Sequence, residues 1–326
     1  MISGIIAVGW WWWPYACGAG GQSGTCYSSQ AAKWEGPAYT FTNLQWSGWE
    51  NSTALSVSHG VIGGSVTNDD AVGNFWWHAL LWDFNGASGV DLQPAGVSSS
   101  SVEAIDGDSQ FGTILTPYPG PTFHAARWDG SAANFTDMHP AGASASFINA
   151  AADGLQVGYT GYPYDGAKAC LWSGTKQSYV NLHPAGATLS HAYAVAQGVV
   201  FGDATFGGVT SVGCWSLGSP TFTSLDAALR PAGFSYVTIS AMQIAADGTF
   251  TLVGSGYNAA LARTEALLWT SVTHRLGDVT GDGAVDAADL GVLLGAWGTA
   301  DPLADLNGDG AVDAADLSIL LGAWTA

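Results

Sequence analysis

From position 278 the chain reads DVTGDGAVDAAD, and from position 305 it reads DLNGDGAVDAAD. Both twelve-residue stretches place oxygen donors at positions 1, 3, 5, 9 and 12 and glycine at position 6. That spacing suits a hard divalent cation. Calcium takes about six to eight oxygen ligands, and the sixth-position glycine allows the sharp turn that wraps a loop around one ion. The expected ligands are Asp278, Thr280, Asp282, the Ala284 carbonyl, Asp286 and Asp289 in the first loop. In the second they are Asp305, Asn307, Asp309, the Ala311 carbonyl, Asp313 and Asp316, so two calcium ions are the expected cofactor.

Each loop runs into an apolar segment, LGVLLGAW or LSILLGAW. Helical spacing puts Leu290, Leu293, Leu294 and Trp297 on one face, and Leu317, Leu320, Leu321 and Trp324 repeat it. Two such stripes are expected to cover each other about a pseudo-twofold axis. Without a cation the gathered carboxylates repel, so this segment is expected to fold only with metal. The duplicated loop-helix lacks the entering helix of an ordinary EF-hand and resembles a type I dockerin over residues 277–326. The resemblance implies calcium-dependent docking onto a cohesin of a scaffold or cell surface. Loop positions 10 and 11, usually polar in that family, are Ala287, Ala288, Ala314 and Ala315 here. A cohesin-like partner and some other surface partner therefore both stand as expectations.

The preceding residues are repetitive. Tryptophan recurs at Trp34, Trp82, Trp128, Trp172, Trp215 and Trp269, and Pro-Ala-Gly follows at Pro94, Pro140, Pro184 and Pro231. Glycine at Gly60, Gly154, Gly198 and Gly248 separates two short apolar runs earlier in each unit, the punctuation of a tight hairpin. Four short strands per unit of roughly 45 residues is the pattern of a β-propeller blade. The expected fold is mainly β: a six-bladed propeller-like domain over residues 1–272, a linker at 273–276, and a small α-helical domain over 277–326. The first unit lacks its innermost strand and the last a clear outermost one, so the ring closes imperfectly or residues precede Met1. The HALLW and HAARW copies with their Pro-Ala-Gly turns resemble the extracellular HAF-repeat family over residues 4–272. That resemblance implies a secreted or surface protein and brings no defined chemistry.

Aromatic residues gather in the segments between second and third strands: Trp10, Trp11, Trp12 and Trp13, then Trp76 and Trp77, then Tyr162 and Tyr164. Placed in loops on one propeller face, they would stack on sugar rings or bury against a protein, and the alternative is packing between blades. Cys17 and Cys26 enclose a short glycine-rich stretch suited to a disulfide bracing the tryptophan loop in an oxidising compartment. Cys170 and Cys214 are expected to be free thiols. His78 and His124 share one repeat position and His139 and His183 another, so they read as parts of blade construction.

Composition narrows the function. Seven Lys and Arg against 26 Asp and Glu give a net charge of −19, which excludes a phosphate-binding patch and so nucleic acid. No apolar run is long enough for a membrane-spanning helix. An enzyme acting on polysaccharide, a glycoside hydrolase or lyase, is the rival reading, but glycoside hydrolysis needs two convergent carboxyl groups. The innermost strands offer Ser56, Glu103, Asn149, Tyr193 and Gln243, of which only Glu103 is a carboxylate. No catalytic residue is assigned. The remaining expectation is an extracellular or cell-surface binding protein recognising a glycan or protein, with a structural scaffold as the third reading.

Overall fold

The computed structural model describes residues 6–17, 24–36, 38–69, 75–86, 88–117, 120–162, 165–216, 221–244, 250–270, 277, 279–280, 284–299, 301, 304–307 and 310–324, with backbone alone for 6–17, 24–27, 69, 75, 165, 216 and 244. The chain divides into two compact units, residues 1–241 with 255–265, and residues 242–254 with 266–326.

Antiparallel sheets follow one another along the first unit. The first holds β1 (Ile6–Cys17), β2 (Gly24–Glu35) and β3 (Thr40–Asn43). The second holds β4 (Asn51–Ser58), β5 (Val61–Asp69), β6 (Phe75–Asp83) and β7 (Gly89–Asp91). The third holds β8 (Ser99–Asp106), β9 (Ser109–Leu115), β10 (Phe123–Trp128) and β11 (Phe135–Asp137). The fourth holds β12 (Ser146–Ala152), β13 (Leu155–Tyr162), β14 (Asp165–Trp172) and β15 (Val180–Asn181). The fifth holds β16 (Leu189–Ala196), β17 (Val199–Phe206), β18 (Val209–Ser216) and β19 (Phe222–Ser224), with one turn of helix, α1 (Asp226–Leu229), after it. Strands β4, β8, β12 and β16 pack on one another and are therefore the innermost. The hairpins joining them to their second strands turn on paired left-handed residues such as Asp153 and Gly154.

This is a propeller arrangement, but of five mutually packed blades where six were expected. Among the described residues the sixth repeat forms β20 (Phe234–Ile244), β21 (Phe250–Asn258) and β22 (Arg263–Thr270), and its residues are divided between the two units. No fourth strand follows it among the described residues, and residues 271–276, which lead toward the first acidic loop, lie outside them. Among the described residues the first sheet has three strands and no innermost one.

The repeat tryptophans hold the blades together. Trp82, Trp128, Trp172 and Trp215 are wholly buried, and the third strands that carry them bury both faces. Leu80 and Trp82 pack toward the first blade, and Ala79 and Leu81 pack toward the third. An aromatic seven residues on meets the tryptophan in several blades: Phe135 on Trp128, Tyr179 on Trp172, Phe222 on Trp215. In the second blade that position is Gly89, where an added Cβ would lie 2.8 Å from the Trp46 ring. Trp46, from the preceding corner, occupies the space an aromatic takes elsewhere.

A serine latch explains the repeated corner after each blade. The third-strand amides of Ala31, Ala79, Ala125 and Ala169 donate to the hydroxyls of Ser52, Ser100, Ser146 and Ser190 of the next blade at 2.8–2.9 Å. Those hydroxyls bond in turn to Gln45, Gln93, His139 and His183. Glutamine does this through Oε1 while its Nε2 donates to a carbonyl four residues on, Trp49 or Val97. Histidine is placed equivalently: Nδ1 faces serine, and Nε2 faces the Ala143 or Ala187 carbonyl at 3.1 and 3.0 Å. The equivalence assigns the neutral Nε2–H tautomer to both rings.

Protonation would put a second donor against the serine hydroxyl. Burial pushes both imidazoles below their ordinary range, and the adjacent His124, stacked on His139 at 3.8 Å, pushes His139 further. The folded state therefore binds fewer protons than the unfolded chain. Their contribution is fully present above the unfolded histidine value of about 6.5 and falls away as pH drops through it. Melting temperature measured from about pH 7 to pH 5 is expected to fall less steeply in His139→Gln/His183→Gln, since glutamine already serves in two other blades.

Candidate metal centre and recognition surfaces

In the second unit each acidic loop ends in a helix, α2 (Ala287–Gly295) or α3 (Ala314–Gly322). Asp286 and Asp313 cap them, accepting from the amides of Ala288 and Ala315 at 2.7 and 2.8 Å. The third helical residues, Asp289 and Asp316, complete reciprocal capping boxes and are fully buried. Asp289 Oδ1 accepts from the Thr280 amide and hydroxyl, both at 2.9 Å, and Oδ2 from the Asp286 amide at 2.8 Å. Asp316 repeats this with the amides of Leu306, Asn307 and Asp313. Gly310, at φ +91°, turns its loop and donates to Asp305 at 2.8 Å.

The electrostatics follow from these donors. Burial would raise the Asp289 carboxyl, but the amides of Asp286 and Thr280 and the Thr280 hydroxyl outweigh it and hold it low. The Asp313 amide chiefly holds Asp316 low, against burial, with help from Asn307 and Leu306. Both are thus buried, ionised acceptors, and among the described residues no ion pair with lysine, arginine or histidine neutralises either. Buried charge of this kind requires a counter-charge, and an all-oxygen donor set fits calcium. Asp278, Asp282, Gly283 and Asp309 lie outside the described residues, and no cluster of three metal-ligating side chains closes among the described ones.

The helices pack through Val285, Leu293, Ala296, Val312 and Leu320, with Leu290 and Leu317 at the edge. The expectation that the whole leucine-tryptophan stripe is covered is corrected: Leu294, Trp297, Leu321 and Trp324 are 41–53% exposed. Successive helical residues lie about 100° apart. With Leu293 and Ala296 turned inward, Leu294 and Trp297 are rotated off the contact, and the alanines at 287, 288, 314 and 315 are exposed beside them.

In the propeller, Trp10, Trp11, Trp12 and Trp13 lie in β1 and pair with Ala31, Gln30, Ser29 and Ser28 of β2. They are strand residues, not the loop tip expected, because the β1–β2 hairpin continues well past the other blades' length. That register also opposes Cys17 to Gly24 and Cys26 to Tyr15. The two cysteines are two positions off a cross-strand pairing, so the backbone register does not support the expected bridge, and their side chains lie outside those described. Cys170 is free and buried and Cys214 free and half-buried, and burial pushes both thiols up. Trp76 and Trp77 also sit within a strand, β6, with Trp76 43% exposed and Trp77 half-buried. Tyr162 is exposed at the end of β13, and Tyr164 lies outside the described residues.

A row of rings that loop-by-loop reading misses crosses the third to fifth blades. Phe123 meets Phe147 at 5.3 Å, Phe147 stacks on Tyr159 at 4.7 Å, Tyr159 meets the edge of His191 at 4.9 Å, and His191 stacks near Tyr193 at 5.7 Å. All five are half-buried strand residues. Each innermost strand also carries a bulge whose extra residue is Leu55, Glu103, Asn149 or Tyr193. The second-blade equivalent of Glu103 is therefore Leu55, where Ser56 was expected. Ser56 instead accepts from the Ile105 amide of the next blade at 3.0 Å.

Residues 276–322 match the family described as Dockerin type I domain. No curated protein matches the chain. Among solved structures it is similar to TolB from Acinetobacter baumannii at 8% identity and a TM-score of 0.46, covering 74% of this chain and 60% of that one. The β-propeller domain of the Trilobed protease from Pyrococcus furiosus matches at 10% identity and 0.48, over 74% and 73%. A Pyrococcus horikoshii acylaminoacyl peptidase matches at 9% and 0.48, over 81% and 43%. The chain thus spans less than two thirds of the first and last of these. The HAF-repeat resemblance has no counterpart among the matches.

Proposed function

We propose that this is a surface-attached extracellular binding protein, in which residues 277–326 anchor the chain through calcium-dependent docking and the propeller recognises a glycan. The supporting observation is the repeated pair of buried carboxylates, Asp289 and Asp316, together with two equivalent exposed apolar pairs, Leu294 with Trp297 and Leu321 with Trp324. One calcium ion per loop would be held by Asp278, Thr280, Asp282, the Ala284 carbonyl, Asp286 and Asp289, and by Asp305, Asn307, Asp309, the Ala311 carbonyl, Asp313 and Asp316. Bound calcium neutralises the loop charge and fixes the helix starts. The dockerin match makes a cohesin the natural partner, and the exposed alanines ask for an apolar complement on it.

For the propeller, exposed Trp76 and Tyr162 and the row from Phe123 to Tyr193 support stacking against sugar rings. One experiment tests both halves. The full chain is held on beads carrying a type I cohesin in calcium, and soluble polysaccharides are passed over it. Retention by the cohesin, capture of a polysaccharide and release of both by chelator are expected. The variant Trp76→Ala/Tyr162→Ala is expected to stay anchored with capture weakened at least about tenfold, from two lost stacking contacts. Equal capture by the variant sinks the glycan reading, and calcium-independent retention sinks the anchor.

A further inference from the structure

A cavity of about 390 Å³ opens at the start of the innermost strands between the second, third and fourth blades. Rings from three blades line it, Trp77 of β6, Phe123 of β10 and Phe147 of β12, together with Thr67 of β5 and Ser101 and Glu103 of β8. Glu103 is brought there by the bulge that separates the Val102–Gly112 and Ala104–Phe111 pairs. The extra residue of a bulge leaves the strand alternation, which re-aims its side chain.

The carboxyl has one described partner, the Ser101 hydroxyl, which donates to Oε1 at 2.6 Å. No lysine, arginine or histidine is among the described residues lining the cavity. The described arginines and Lys33 are engaged elsewhere, by Glu35, Asp129, Asp226 and Glu265. A structural carboxylate in such surroundings is normally paired or replaced by an apolar residue, as Leu55 replaces it in the second blade. The combination of aromatic faces with one uncompensated carboxyl is the chemistry that recognises an organic ammonium, through charge and cation–π attraction together.

We infer that this cavity binds a small organic cation, a primary ammonium on a compact apolar or sugar framework, with its charge against Glu103 and its body against Trp77, Phe123 and Phe147. Burial pushes the Glu103 carboxyl up, against the opposing Ser101 hydrogen bond, as expected of an acid that lacks its counter-ion. A bound ammonium supplies that counter-ion. The inference does not depend on the glycan reading: neutral sugars stacking on Trp76 and Tyr162 would neither need nor sense Glu103.

The test is calorimetric titration of the full chain, in calcium, with benzylammonium chloride and separately with benzyl alcohol, which matches its shape without the charge. Benzylammonium is expected to bind at least about tenfold more tightly than the alcohol, a difference near 1.4 kcal/mol. Glu103→Gln keeps an acceptor for Ser101 and removes the charge. It is expected to weaken benzylammonium at least about tenfold while leaving benzyl alcohol unchanged. Equal affinity of the native chain for the two probes overturns the inference without recourse to any variant. So does a folded Glu103→Gln protein that binds benzylammonium as the native one does, and so does the absence of binding up to about 50 mM.

Discussion

Removing calcium from the full-length protein is expected to abolish amide hydrogen-exchange protection throughout α2 and α3 while β8 to β18 keep theirs. The helices are only nine residues each, far below the length at which isolated helices persist. Their shared core is small: Val285, Leu293, Ala296, Val312 and Leu320, with Ala304 beside them. Against it stand Asp289 and Asp316, both without exposure, each held ionised by amides and, for Asp289, a hydroxyl. Two carboxylates withdrawn from solvent with no cation beside them oppose the packing of so small a core. With a cation present the same carboxylates become ligands and the cost becomes binding energy. Asp289→Ala and Asp316→Ala are each expected to shift the calcium needed for protection upward by more than about tenfold. Helices that stay protected in excess chelator would show that the capping boxes and leucines suffice without metal, and the calcium reading of both loops would fall with them.

What the sequence makes legible here follows from how local each signal is. The loop motifs occupy twelve contiguous residues with positional chemistry, and the hairpins turn on glycines such as Gly154 that need left-handed backbone, so both are readable in one dimension. The repeat tryptophans mark the third strand because four of them, Trp82, Trp128, Trp172 and Trp215, are buried between blades. Three features depend on pairing that no spacing reveals. The length of β1 places four tryptophans within a strand, through an extended register with β2. The rotation of each helix about Leu293 and Leu320 leaves Leu294 and Leu321 outside, because the small Ala296 and Ala323 let the helices meet one turn later. The bulge falls three residues after the latch serine, Ser52 to Leu55 as Ser100 to Glu103, so the structural equivalent of Glu103 is Leu55 and not Ser56, and only the latch hydrogen bond singles that serine out. A glycine signal for the bulges was present, at Gly64, Gly112, Gly158 and Gly202, each facing a bulge. Its meaning appears only once the opposite carbonyl is in place.

Those glycines carry the second large expectation. At Gly158 an added Cβ would lie 1.9 Å from the Phe147 carbonyl oxygen and 3.0 Å from the Ile148 Cα. The bulge at Asn149 pushes that carbonyl across the strand, and Gly64, Gly112 and Gly202 meet the same obstruction at 1.9–2.0 Å. The obstacle is main chain in a ladder continued by β14, so no rotamer change relieves it. Gly158→Ala must break either the bulge or the ladder, and a loss of more than about 3 kcal/mol is expected, at the severe end for an inserted methyl group. Gly154→Ala is the control that separates this from conformational strain. Gly154 has φ +77° and nothing within 4 Å of an added Cβ, so its cost is the left-handed backbone alone, roughly 1–2 kcal/mol. Denaturant unfolding of the two variants is therefore expected to order them with Gly158→Ala well below Gly154→Ala. The reverse order would mean that the inner strands accommodate a side chain opposite the bulge, and that Glu103 and Asn149 are aimed by something other than the carbonyl those glycines make room for.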